Sequence, residues 1–212
     1  MDEAEWLTST NPYAMFRHLG TRLTARKLRL LHCSYCRDHI DHLRDERSVW
    51  AVETAERLAD GLADVVESDR VREVAKGAVR RWNEEGDTPK AMFADVAVRS
   101  LDRELSPFGR AYRHFSSEIE LHPQPEVCTA VREFFGNPFR PVSLNPDHWL
   151  TPPVLGLART MYESRDFTAM PVLADALEES GCDEAEVLAH CRAGGPHVRG
   201  CWVVDLLLGK GR

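Results

Sequence analysis

No apolar run in this 212-residue chain is long enough to cross a bilayer. The opening Met1-Asp2-Glu3-Ala4-Glu5 is acidic where a secretory leader carries basic residues, and no apolar stretch follows it. A cytoplasmic protein without a membrane partner is therefore expected. Excess positive charge is also missing. The net charge of −7 argues against a general nucleic-acid or anionic-lipid binder, and the basic cluster Arg22, Arg26, Lys27 and Arg29 reads as a solvated helix face. The chain contains no P-loop, GxGxxG, HExxH, GxSxG or EF-hand pattern. It has no fixed-period repeat, no low-complexity tract and no Ser/Gly-rich linker. Convincing period-2 strands are absent as well; only 141–144 reads as a short extended piece.

What is present is an ordinary globular composition, 43% hydrophobic and 29% charged, which is enough to build a core and argues against disorder. The pattern predicts an all-α fold: an irregular bundle of about eight or nine helices with a long proline-rich connection over 136–153. Asn11-Pro12 marks one helix start, with Asn as cap and Pro as first helical residue. Further helices are predicted from Thr24 to about Arg44, Ser48 to Ala59, Asp69 to Asn83, Thr88 to about Leu105, Pro125 to Phe135, Thr151 to about Tyr162, and Met170 to Gly181. Asp183 and Glu186 have capping-box spacing for a short helix ending near Arg192. A last helix is predicted from about His197 to Gly209. The chain reads as a single domain, 1–212, with room for two subdomains meeting near 106–124 or 136–150.

Six cysteines in a reducing compartment are expected to be thiols, metal ligands or redox groups, not structural disulfides. Cys33 and Cys36 are i,i+3 neighbours within the long helix, so both thiols share one side. They suit a soft metal or a dithiol pair, and equally the apolar stripe of Leu30, Ile40 and Leu43. His32, Tyr35, His39 and His42 run beside that stripe, with Asp38 and Asp41 as carboxylates able to orient a histidine.

The densest set of reactive residues lies at 190–205. There His190, Cys191, Arg192, His197, Arg199, Cys201 and Asp205 surround Gly194-Gly195-Pro196. Cys33 and Cys36 together with Cys191 and Cys201 compose a four-thiolate site joining the two ends of the chain. His32, His190 or His197 are alternates for one thiolate. Zinc is the expected occupant and an iron–sulfur cluster the alternative. A second reading places His197, Cys201 and Asp205 at i, i+4, i+8 of one helix. Cys201 or Cys191 is then a nucleophile or redox centre served by His197, with Asp205 as orienter. A third is a metal-free module binding a protein partner. Cys128 and Cys182 read as bystanders.

The opening Glu3-Ala4-Glu5-Trp6-Leu7, the Arg26-Lys27-Leu28-Arg29-Leu30 helix with its cysteines, and the closing His190-Cys191-Arg192…Gly195-Pro196-His197-Val198-Arg199-Gly200-Cys201-Trp202 together resemble a bacterial helical domain family without an assigned activity. Gly136-Asn137-Pro138-Phe139-Arg140-Pro141 and Leu173-Ala174-Asp175-Ala176-Leu177 also fit. The family's helix often carries a further thiol where this chain has Tyr35. The resemblance implies a bacterial source and a shared pattern across most of the chain, and it implies no reaction.

Overall fold

Side-chain caps set where the α-helices between residues 12 and 99 begin. The computed structural model describes residues 1–105, 125–143 and 146–210. The fold is all-α: the described residues hold nine α-helices of seven residues or more and no strand. The predicted irregular stretch at 106–124 lies outside the described residues, and the helix predicted to reach about Leu105 ends at Arg99, capped by Ser100. No helix among the described residues is long and apolar enough to cross a membrane. The chain divides into two compact units, Ser9–Cys128 and Met1–Thr8 with Thr129–Arg212. The division falls between the two stretches, 106–124 and 136–150, where a boundary is expected.

The first of these units contains α2 (Pro12–Leu19), α3 (Ala25–Asp38), α4 (Glu46–Ala59), α5 (Val65–Glu84) and α6 (Thr88–Arg99). Asn11 and Thr24 cap α2 and α3 as predicted, accepting from the Ala14 and Lys27 amides. The later starts belong to Asp45, Asp64 and Asp87, whose carboxylates accept from Arg47, Glu67 and Lys90 amides. Helix α3 stops at Asp38, short of the predicted Arg44. The His39 ring Nδ1–H donates to Tyr35 O at 3.0 Å, satisfying a carbonyl that the next helical turn would have used. A 3₁₀ turn, Ile40–His42, follows.

Cys33 and Cys36 face the core of this unit among Val52, Ala55, Val71, Ala75, Phe93 and Ala97. Burial pushes both thiols up, Cys36 to about 12. Around that core the ionic groups are paired, as buried charge requires. Arg37 holds the buried Glu56 carboxylate through two bonds, of 2.5 and 2.9 Å, and Arg29 donates to Ser100 O and Asp102 O.

His32 is buried on α3, and burial with Arg29 and Arg99 nearby pushes it down to about 4. An unfolded chain titrates this imidazole near pH 6.5. The unfolded state therefore binds the extra proton between these values, and stability falls as the pH drops from about 6.5 towards 4. Replacing His32 by Asn removes this contribution. The urea midpoint should then differ less between pH 7 and pH 5 than in the wild type; an equal difference would count against the assignment.

The other unit contains α1 (Glu3–Thr8), α7 (Pro125–Phe135) from Thr129 onward, a single turn α8 (Pro146–Trp149), α9 (Pro152–Ser164), α10 (Met170–Glu179), α11 (Ala185–Arg192) and α12 (Trp202–Leu207). Helix α10 packs against α9 and α11, and α12 packs against the same two. The shared core includes Val154, Ala158, Met161, Leu173, Leu177, Val187, Val203, Val204 and Leu207. The last helix is shorter than predicted. Gly200 adopts φ +101°, and Cys201, its amide on Val198 O, becomes the residue before the helix. His197 is therefore in a loop, and the predicted helical line of His197, Cys201 and Asp205 does not form.

Candidate metal centre

The loop that breaks the last helix also brings its chemistry together. After α11, the Gly195 amide bonds Ala193 O and the His197 amide bonds Gly195 O. These two tight turns across Gly194-Gly195-Pro196 fold His197 back. Its Nε2 is 3.1 Å from Ala193 O, and a carbonyl only accepts, so Nε2 carries the proton. In the metal-free ring Nδ1–H donates to Glu133, and loss of that proton would leave Nδ1 as the lone pair for an ion. Nδ1 lies 3.3 and 3.2 Å from the two carboxylate oxygens of Glu133 on α7. The backbone amide of Val198 also reaches Glu133 Oε1, at 3.4 Å.

His190, in the last turn of α11, completes the group with Cys201. Its Nε2 is 3.2 Å from Cys201 Sγ and 3.3 Å from Glu133 Oε2. The His190 and His197 rings meet edge-on at 4.9 Å, and the Trp202 ring lies 5.3 Å from His190. One donor atom each from Glu133, His190, His197 and Cys201 lies within 4.8 Å of every other. The side chains are 10, 17 and 6% exposed for Glu133, His190 and His197, and Cys201 is fully buried. This group can hold a metal ion.

Its electrostatics follow from the burial. Desolvation pushes His190 down to about 4, against the pull of Glu133, so its ring is neutral and able to ligate. His197 is raised, chiefly by its hydrogen bond to Glu133. Desolvation first and Glu133 second push the Cys201 thiol well up. Cys191 is pushed up to about 12, again mainly by burial.

Of the residues singled out from the sequence, His190, His197 and Cys201 enter this group. Cys191 lies in the core of the same unit, outside the group. Cys33, Cys36 and His32 belong to the other unit. Asp205 is buried on α12 and is not one of the converging donors. Arg192 bonds Asp175 and Glu178 at the surface. The carboxylate of the group, Glu133, has no sequence signature. In Val131-Arg132-Glu133-Phe134-Phe135 it reads as one polar position of an amphipathic helix.

Comparison of the chain with family models, curated proteins and solved structures finds no match.

Proposed function

We propose that the unit Met1–Thr8/Thr129–Arg212 is built around one structural zinc ion held by Glu133, His190, His197 and Cys201. The observation that carries this is the double approach to His190 Nε2, which has Sγ at 3.2 Å and Oε2 at 3.3 Å. In a catalytic Cys–His–acid relay the acid sits on the imidazole nitrogen remote from the thiol. Here thiol and carboxylate share one nitrogen, the arrangement of groups converging on a common centre. Tetrahedral zinc with bonds of about 2.0–2.3 Å places its ligand atoms about 3.3–3.7 Å apart, close to the 3.2–3.3 Å of His190 to Cys201 and of both histidines to Glu133, in a group whose donors all lie within 4.8 Å.

Charge supports the same reading. A thiolate and a carboxylate balance a divalent cation, so the occupied centre is neutral where burial penalises net charge. The ion displaces the Cys201 proton that burial otherwise retains. Without an ion, a buried and protonated thiol is a poor nucleophile, which weighs against the reactive-cysteine alternative. Four protein ligands suit a closed structural site. A single thiolate favours zinc over an iron–sulfur cluster, which draws on several. The reading includes a reducing cytoplasmic setting and no nucleic-acid or membrane partner.

Cobalt(II) titration of anaerobic protein tests the ligand set. The wild type should bind one ion with a thiolate-to-cobalt charge-transfer band. Cys201→Ser should abolish that band. Glu133→Gln, His190→Ala and His197→Ala should each weaken binding by at least about tenfold. Cys33→Ser and Cys36→Ser should bind as the wild type does. Loss of the band in Cys33→Ser but not in Cys201→Ser would reject the assignment.

A further inference from the structure

The first helix of the chain braces the segment that carries Glu133. Trp6 on α1 is fully buried. Its indole Nε1–H donates to Gly136 O at 3.2 Å. Its own carbonyl accepts from Arg132 Nε at 3.0 Å and Arg132 Nη2 at 2.8 Å. Arg132 and Gly136 bracket Glu133 along the chain, and the Gly136 amide closes the turn on Arg132 O at 2.8 Å.

Gly136 takes the left-handed φ of +62°, and a Cβ there would sit 3.0–3.2 Å from ring atoms of Trp202. Trp202 follows Cys201 directly, and its ring is 5.3 Å from that of His190. A separate polar path runs from α1 to the helix of His190. Glu3 accepts from Asn137 at 2.7 Å and pairs with Arg140 at 2.6 Å, and Arg140 also holds Glu186 of α11 at 3.0 Å.

We infer that Trp6 is a positioning residue for the metal centre: α1 latches the Arg132–Gly136 turn, and that turn, with Gly136 against the Trp202 ring, sets Glu133 beside His190. The inference rests on the metal reading above. The ligand atoms all come from residue 133 onward, while the latch comes from the first eight residues, so affinity for the ion depends on a segment that touches none of it. Metal-ligand supports of this kind alter affinity by about 10–100-fold.

The test is cobalt(II) titration of full-length wild type, Trp6→Ala, Trp6→Phe, Arg132→Met and the core control Leu173→Ala, with folding checked by far-ultraviolet circular dichroism. Trp6→Ala and Arg132→Met should bind about 10–100-fold more weakly, with displaced cobalt d–d bands. Trp6→Phe, which loses the indole donor and part of the ring but keeps an aromatic side chain in the pocket, should fall between them and the wild type, and it carries the test should Trp6→Ala fail to fold. Leu173→Ala should lose melting temperature and keep both affinity and spectrum. Folded Trp6 and Arg132 variants with wild-type affinity would overturn the latch and leave the metal site standing. Equal weakening in Leu173→Ala would also overturn it, as a general stability effect. A wild type that binds no cobalt would remove the metal reading itself.

Discussion

Stripping the metal with a strong chelator should lower the melting midpoint by roughly 15–30 °C, and adding zinc back should restore it. An ion present at about a thousand times its dissociation constant stabilises the state that binds it by about 4 kcal/mol. In a unit of about 90 residues, each kcal/mol moves the midpoint by about 4–8 °C. The effect concentrates where the ion ties elements together. Glu133 is on α7, His190 on α11, His197 in the loop after it and Cys201 at the start of α12. Without the ion these are joined by weaker contacts, including the Glu133 hydrogen bond to His197 and the His190–Cys201 contact. Differential scanning calorimetry with and without chelator measures the shift, and an unchanged midpoint would contradict a structural ion.

Deleting residues 201–212 should leave the protein insoluble or without a cooperative melt. Val203 and Val204 are fully buried, Leu207 is 3% exposed, and Cys201 is a proposed ligand. Burial of each aliphatic side chain contributes about 1.5–3 kcal/mol, so three together approach the whole stability of a typical domain, about 5–15 kcal/mol. The deletion also strips the Trp202 ring from Gly136 and exposes the faces of α9 and α11 against which α12 packs. A soluble truncation melting cooperatively at the wild-type midpoint would show that the segment is not part of the core.

The helices were legible wherever a cap or a proline marked them. Asn11-Pro12, Thr24, Thr151-Pro152 and Met170-Pro171 start helices in the structure within a residue of the predicted positions. The aspartate caps were harder to see. Asp64 starts α5 several residues ahead of the predicted Asp69, because a polar residue before Val65-Val66 resembles any loop carboxylate. At the end of the chain, apolar periodicity suggested a helix from His197, but left-handed Gly200 delayed it to Trp202.

That shift decides the site. On one helix, His197 and Cys201 would have faced Asp205; from a loop, His197 reaches Glu133 instead. Composition singled out the 190–205 segment and three of the four converging residues. Glu133 was hidden because its partners are remote in sequence and its local pattern is that of a surface helix. Cys33 and Cys36 lie at core positions of their helix, where sequence spacing alone does not separate packing from ligation.

X-ray absorption at the zinc edge, with elemental analysis of the same anaerobically purified protein, tests the central claim most directly. The account predicts one zinc per chain, one sulfur neighbour at about 2.3 Å and three nitrogen or oxygen neighbours at about 2.0–2.2 Å. Four sulfur neighbours, or protein that purifies with substoichiometric metal and takes up none when zinc is supplied, would contradict it.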